Sequence, residues 1–223
     1  MDLSLPQIIA VYAIPVILAI TLHEAAHALV AALLGDSTAA KLGRVSANPL
    51  RHIDPVGTLL VPALILLSSK LLGGGGIIFG WAKPVPIVVS NLRSPRRDMG
   101  LVALAGPLSN LAMALCWGLI LKLLTAGDPA SGYLEFIARM AVAGVVVNLV
   151  LGLLNLMPIP PLDGGRVLVS LLPRRLAMTV ARLEPYGIVI LLLLLATGAL
   201  GTVVGPLLDF GITVISSLLG LNN

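Results

Sequence analysis

The chain has 223 residues, enough for one domain or two small ones. Hydrophobic residues make up 58% of it and charged residues 11%, against about 25% charged in soluble domains. A soluble fold of this length cannot bury so much apolar surface, so the composition points to an integral membrane protein. The formal net charge of +4 sits beside apolar runs and reads as membrane orientation, with no indication of nucleic-acid binding.

A membrane helix needs about 20 predominantly apolar residues. The first candidate is roughly residues 5–34, in which Glu24 is the formal charge. It lacks the basic flank of a signal peptide and is expected to be retained. Gly35-Asp36-Ser37 ends it, and a polar loop follows. A second apolar segment, roughly 56–72, carries Pro62 and Lys70 and is broken by GGGG at 73–76. The stretch IIFGWAKPVPIVVS, 77–90, is rich in proline and β-branched residues, which predicts extended chain. A basic loop at 91–98 leads into a span at 99–124. The turn TAGDPASG at 125–132 precedes another span at 133–157. The pattern at 166–182 mixes basic and apolar residues, which predicts a helix at the membrane surface. One or two further spans occupy 185–220. The single cysteine, Cys116, lies in an apolar span and cannot form an intrachain disulfide. The expected fold is an all-α polytopic membrane protein with about five to six transmembrane helices.

Basic residues orient the chain. Lys41, Arg44 and Arg51 lie in one loop. Lys83, Arg93, Arg96 and Arg97 lie in a second, and Arg166, Arg174, Arg175 and Arg182 in a third. The turn at 125–132 holds Asp128 and no base. The positive-inside rule places the three basic regions in the cytoplasm and that turn outside. Residues 36–54 and 91–98 then share one side, so the chain between them must return. The stretch 77–90 is long enough to do so as extended backbone. Such backbone is tolerated at membrane depth only beside protein or a watery cavity. A re-entrant strand or hairpin is therefore expected there.

The chemistry begins in HEAAH, residues 23–27. Positions i and i+4 of a helix lie one above the other, so His23 and His27 can offer two imidazoles to one metal ion. Glu24 is placed to act as general base on a water held there. A buried glutamate in a bilayer is costly and usually functional. A catalytic zinc site needs a third protein ligand. His52, in NPLRHIDP, is one candidate, with a loop or gating role as its alternative. Asp163, in NLMPIPPLDGG, is the better one. Its prolines stop the helix, and Gly164 and Gly165 allow positive φ or close backbone approach. The competing reading of Asp163 is a helix cap.

HEAAH, AGPLSN at 105–110 and NLMPIPPLDGG at 155–165 occur in that order and together resemble the site-2 protease family of intramembrane zinc metalloproteases. FGWAKPVP is similar to the re-entrant segment of one branch of that family. The resemblance covers roughly residues 5–170 and implies a short form, without an inserted PDZ or regulatory nucleotide-binding domain. It implies one integral-membrane metalloprotease domain over 1–223, with its catalytic core at about 5–170 and further helices at about 185–220. It implies one zinc ion per chain on His23, His27 and Asp163, with Glu24 as catalytic base and Asn155 assisting substrate or the transition state. Gly106, Ser109 and Asn110 read instead as small and polar groups that pack helix on helix.

The expected reaction is hydrolysis of a peptide bond within or near the membrane-spanning segment of a membrane-protein substrate. The enzyme is expected in the plasma membrane, with its active site toward the cytoplasm. An unwound substrate could be held by strand addition along Phe79 to Val89, with Phe79, Trp81, Val88 and Val89 as candidate contacts. The alternative is a non-catalytic metal-binding membrane protein. A metal transporter would need a polar path through the whole bilayer, and the polar residues gather on one half.

Overall fold

A computed structural model describes residues 4–60, 82–125 and 132–221. Among them the chain is helix and loop, with no strand. Most of the second apolar segment, the glycine run, Phe79 and Trp81 lie outside the described residues, as does most of the turn at 125–132.

Helix α1 (Leu5–Leu33) begins with Ser4 N–H donating to Gln7 Oε1 at 2.9 Å and has a proline in its first turn. Its end is a Schellman turn. Gly35, at φ 118°, donates to Ala32 O, and Asp36 N–H donates to Ala31 O at 2.9 Å. A side chain at Gly35 would also strike the Asn91 carbonyl, 2.9 Å from an ideal Cβ. A short helix α2 (Thr38–Lys41) follows. Helix α3 (Pro95–Thr125) opens on proline, and the Asp98 carboxylate accepts from Ser94 N–H at 2.7 Å. Helix α4 (Gly132–Asn155) stops before Pro158. Then come α5 (Asp163–Leu171), α6 (Arg174–Ala181), α7 (Gly187–Ala196) and α8 (Ala199–Leu219).

Among the described residues, five stretches are long and apolar enough to cross a membrane: Ile9–Leu33, Pro95–Thr125, Tyr133–Asn155, Arg174–Ala196 and Ala199–Leu219. The expected single surface helix at 166–182 is divided instead. Pro173 cannot continue α5, so α5 packs back against α3 while α6 leads into α7.

Helices α1, α3 and α4 pack pairwise, and α8 lies against α3 and α4. Small residues permit the close approach. Gly144 admits the Trp117 ring and Gly118 admits Ile215, each nearer than a Cβ would allow. Ala114, Val145, Leu149 and Ile215 form the core of that contact. On the outside, Ile9, Leu33, Leu123, Phe210 and Leu218 are exposed, as suits faces solvated by lipid.

Over its described part, the stretch expected as a strand is not one. Residues 82–88 form neither helix nor ladder, and Val89–Asn91 is a single 3₁₀ turn. Pro84 and Pro86 have no N–H to give a ladder. Side chains and loop carbonyls anchor this segment instead. Lys83 N–H donates to His52 O at 2.9 Å, and Arg44 Nη2 donates to Lys83 O and Pro84 O, each at 3.0 Å. Asp36 holds the far end. Its carboxylate accepts from Val88 N–H at 2.6 Å, from Asn91 Nδ2 at 3.1 Å and from the Thr38 N–H and hydroxyl.

Burial alone would raise the Asp36 carboxyl, but the Thr38 hydroxyl, Val88 N–H and Asn91 amide bring it from the ordinary 3.8 down to about 2. A carboxyl depressed by folding stabilises fully above its unfolded value, and that share is lost as pH falls through the folded one. Acid titration of the parent should therefore show a loss of stability between about pH 4 and about pH 2. Asp36→Asn should remove that step and cost about 1–3 kcal/mol at neutral pH, read from the unfolding midpoint in detergent.

Candidate metal centre

His23 and His27 stand one turn apart on α1, and Asp163 is the first residue of α5. All three are buried, at 8%, 6% and 8% exposure. His23 Nε2 and His27 Nε2 are 3.0 Å apart, and Asp163 Oδ2 lies 3.1 Å from the first and 3.2 Å from the second. Among the described residues, these three form the cluster of metal-ligating side chains. His52 is not part of it. It lies buried in its loop, where Nε2 bonds the Ser46 carbonyl at 2.9 Å and its own carbonyl supports Lys83.

The far nitrogens show what the near ones can do. His27 Nδ1 is 2.7 Å from the Val102 carbonyl. A carbonyl only accepts, so Nδ1 carries the proton, and Nε2 of the neutral ring presents a lone pair. His23 Nδ1 is 2.6 Å from Asn110 Oδ1, again an acceptor. Two imidazole lone pairs and a carboxylate oxygen thus converge on one point. Such a donor set is mutually repulsive without a cation between its members. Ligands about 2.0–2.1 Å from a tetrahedral zinc ion stand about 3.3 Å apart, close to the separations here.

Helix α3 makes room for this arrangement at Gly106. An ideal Cβ there would lie 2.4 Å from His27 Nε2 and 2.6 Å from both Cε1 and Nε2 of His23. Asp163 is seated by its neighbours. Gly164 and Gly165 have ordinary φ but meet the backbone of residues 156–160 at distances that exclude a Cβ, the shortest being 2.2 Å to Leu156 O. Of the two roles open to these glycines, the structure selects close approach.

Glu24 lies beside the cluster, and its Oε2 accepts from Val85 N–H at 3.0 Å. The segment 82–88 therefore passes directly across this carboxylate, with Val85 seated on Ala28 and Ala39. His23, Glu24 and Asn155 share a cavity of about 290 Å³ whose other walls include Ile20, Leu151 and Leu191. Asn155 Nδ2 donates one hydrogen to Leu151 O at 3.0 Å. Val88 and Val89 are partly exposed, but Val88 N–H is committed to Asp36.

Asn110 packs between helices as expected, bonding Ala19 O on α1 and Asn148 on α4, and its Oδ1 also lies 2.6 Å from His23 Nδ1. Asn148, not singled out from the sequence, accepts from Asn110 Nδ2 through its Oδ1 at 3.1 Å. A lone asparagine in the apolar run VVVNLVLG was the available signal. Nothing in the local pattern marked the Asp36 clamp or the Glu24–Val85 contact.

The pattern of peptidase family M50 matches residues 129–196. YwhC of Bacillus subtilis, named as a zinc metalloprotease, is 36% identical over 200 residues, which cover 89% of this chain and 85% of that protein. Rip2 of Mycolicibacterium smegmatis, named likewise, is 33% identical over 189 residues, covering 82% of this chain and 66% of its own length. MJ0611 of Methanocaldococcus jannaschii, also named as a zinc metalloprotease, is 35% identical over 71 residues, 32% of this chain and 34% of its own. No solved structure gives a significant match. The chain belongs to peptidase family M50, the site-2 protease family that its motifs resemble, and the five apolar spans among its described residues make it a multi-pass membrane member of that family.

Proposed function

We propose that the chain is a zinc metalloendopeptidase that cleaves membrane proteins within or near a transmembrane segment. The observation that carries the reading is the convergence of His23 Nε2, His27 Nε2 and Asp163 Oδ2 to 3.0–3.2 Å beside Glu24. These three side chains would hold one zinc ion. When bound, zinc supplies Lewis-acid polarisation of a peptide carbonyl and lowers the pKa of water. Glu24 takes a proton from the attacking water and returns it to the leaving amine nitrogen. Its Oε2 is occupied by Val85 N–H, which leaves Oε1 for the proton. Asn155 has a second amide hydrogen beyond the one on Leu151 O, free to stabilise the developing oxyanion or hold a substrate carbonyl.

The apolar cavity suits a substrate that arrives from the bilayer and unwinds at the site. The segment from Phe79 to Val89 would hold the unwound strand. Val88 is not the donor for that pairing, because Asp36 has taken its N–H. The cytoplasmic orientation of the site is supported by where the bases gather. Arg44 reaches the 82–88 segment, and Arg96 and Arg166 border one cleft with Val85 and Pro160. The three basic loops thus meet at the end of the bundle that carries the site.

The test is zinc per chain in the detergent-solubilised protein beside Asp163→Ala. One zinc in the parent and a loss of affinity in the variant support the site. The variant also removes a negative charge between two imidazoles, so weakening of at least about 100-fold is expected. Undiminished binding in the variant would remove Asp163 from the site.

A further inference from the structure

We propose that Asn110 and Asn148 are positioning residues: a two-amide relay across α1, α3 and α4 that fixes the tautomer of His23. This rests on the metal-site reading above. Both asparagines are completely buried, in the centre of a bundle where an unpaired amide is costly. Neither lines the cavity shared by His23, Glu24 and Asn155.

The relay has a direction, set by groups that cannot reverse. The Gly144 carbonyl only accepts, and Asn148 Nδ2 lies 2.9 Å from it. Asn148 must therefore turn its Oδ1 toward α3, where it accepts from Asn110 Nδ2 at 3.1 Å. The Ala19 carbonyl on α1 gives a second fixed acceptor for the same Nδ2, at 3.4 Å. Both N–H groups of Asn110 are thereby used. Its Oδ1 is left facing His23 Nδ1 at 2.6 Å, so Nδ1 must carry the proton.

The opposite assignment shows what the relay prevents. A reversed Asn110 would aim N–H groups at His23 Nδ1 and move the ring proton to Nε2. That proton would sit 3.0 Å from His27 Nε2 and 3.1 Å from Asp163 Oδ2, in the space the metal needs. His27 needs no such device, because a backbone carbonyl fixes its Nδ1. The two histidines thus reach the same tautomer by different means, one through main chain and one through side chains. Mere polar packing between helices would place no requirement on which amide atom faces the ring.

The variants Asn110→Leu and Asn110→Asp separate the two roles, since aspartate keeps an acceptor toward Nδ1 and leucine keeps only bulk. The metal-free protein, labelled with ¹⁵N-histidine, reports the tautomer by NMR, and competition with a chelator reports zinc affinity. The parent should show His23 as the Nδ1–H form. Asn110→Leu should lose that preference and bind zinc about 10- to 100-fold more weakly. Asn148→Leu should give a smaller shift in the same direction. Asn110→Asp should keep the Nδ1–H form, although its second oxygen then faces the acceptors on Asn148 and Ala19. An aspartate variant without the Nδ1–H form, or an Asn110→Leu variant with the parent's tautomer and affinity, would overturn the relay. A parent that binds no zinc would instead remove the metal-site reading, and the metal-free tautomer would still decide the relay on its own.

Discussion

Glu24→Gln is expected to lower peptide-bond cleavage about 10²- to 10⁴-fold, the usual contribution of a general base, while zinc stays bound. The replacement suits the local structure. Glutamine keeps the length and shape of the side chain, and its amide oxygen can accept from Val85 N–H as Glu24 Oε2 does at 3.0 Å. The 82–88 segment therefore remains seated on Ala28 and Ala39. What disappears is the basic oxygen that would take the proton. His23, His27 and Asp163 are untouched, so zinc content should match the parent. The assay is the appearance of new termini, by mass spectrometry, in a panel of single-span proteins reconstituted with parent or variant. Loss of cleavage with zinc retained isolates the chemical step. Cleavage at the parent's rate would mean that Glu24 is not the base. If the parent itself cleaves none of the panel yet binds one zinc, the non-catalytic metal-binding alternative gains the support.

The divide between what the sequence showed and what it hid follows the range of the interactions. His23 and His27 were legible because helical periodicity alone brings i and i+4 together. Asp163 was legible because prolines and glycines announce a shaped break, and the structure puts that residue 3.1 Å from His23. The helices were legible from apolar length. Asn110 does bridge helices as expected, through Ala19 O and Asn148, but its contact with His23 was hidden because that partner is 87 residues away and nothing in AGPLSN says which side chain it meets. In sequence, Asp36 marks a helix end. It is that, but its carboxylate also gathers donors from the far side of an apolar segment. The strand expected at 77–90 failed, over its described part, for a related reason. β-branched residues and prolines correctly predicted an unwound chain, but a ladder also needs a neighbouring strand. Here the acceptors came from Glu24 and Asp36 on α1 and its end turn.

Gly106→Ala is expected to remove zinc binding almost completely, although it adds one methyl group to a helix where alanine has the higher propensity. Propensity would favour the variant by about 1 kcal/mol. Packing decides against it. The new Cβ would lie 2.4 Å from His27 Nε2 and 2.6 Å from His23 Nε2, so the rings or the helix must move. The rings have little freedom to yield. His27 is held at Nδ1 by the Val102 carbonyl, and His23 by Asn110, and both of those partners ride on α3 together with residue 106. A shift of α3 away from α1 would stretch both bonds at once. Either response spoils the convergence of lone pairs, and zinc affinity should fall at least about 100-fold, beyond the usual effect of an outer-shell change. Gly201→Ala serves as the control, because an added Cβ there meets nothing within 4 Å. That variant should bind zinc as the parent does and unfold no earlier. Zinc bound by the Gly106 variant with the parent's affinity would mean that α3 does not press against the two imidazoles, and the histidine geometry on which the site depends would have to be given up.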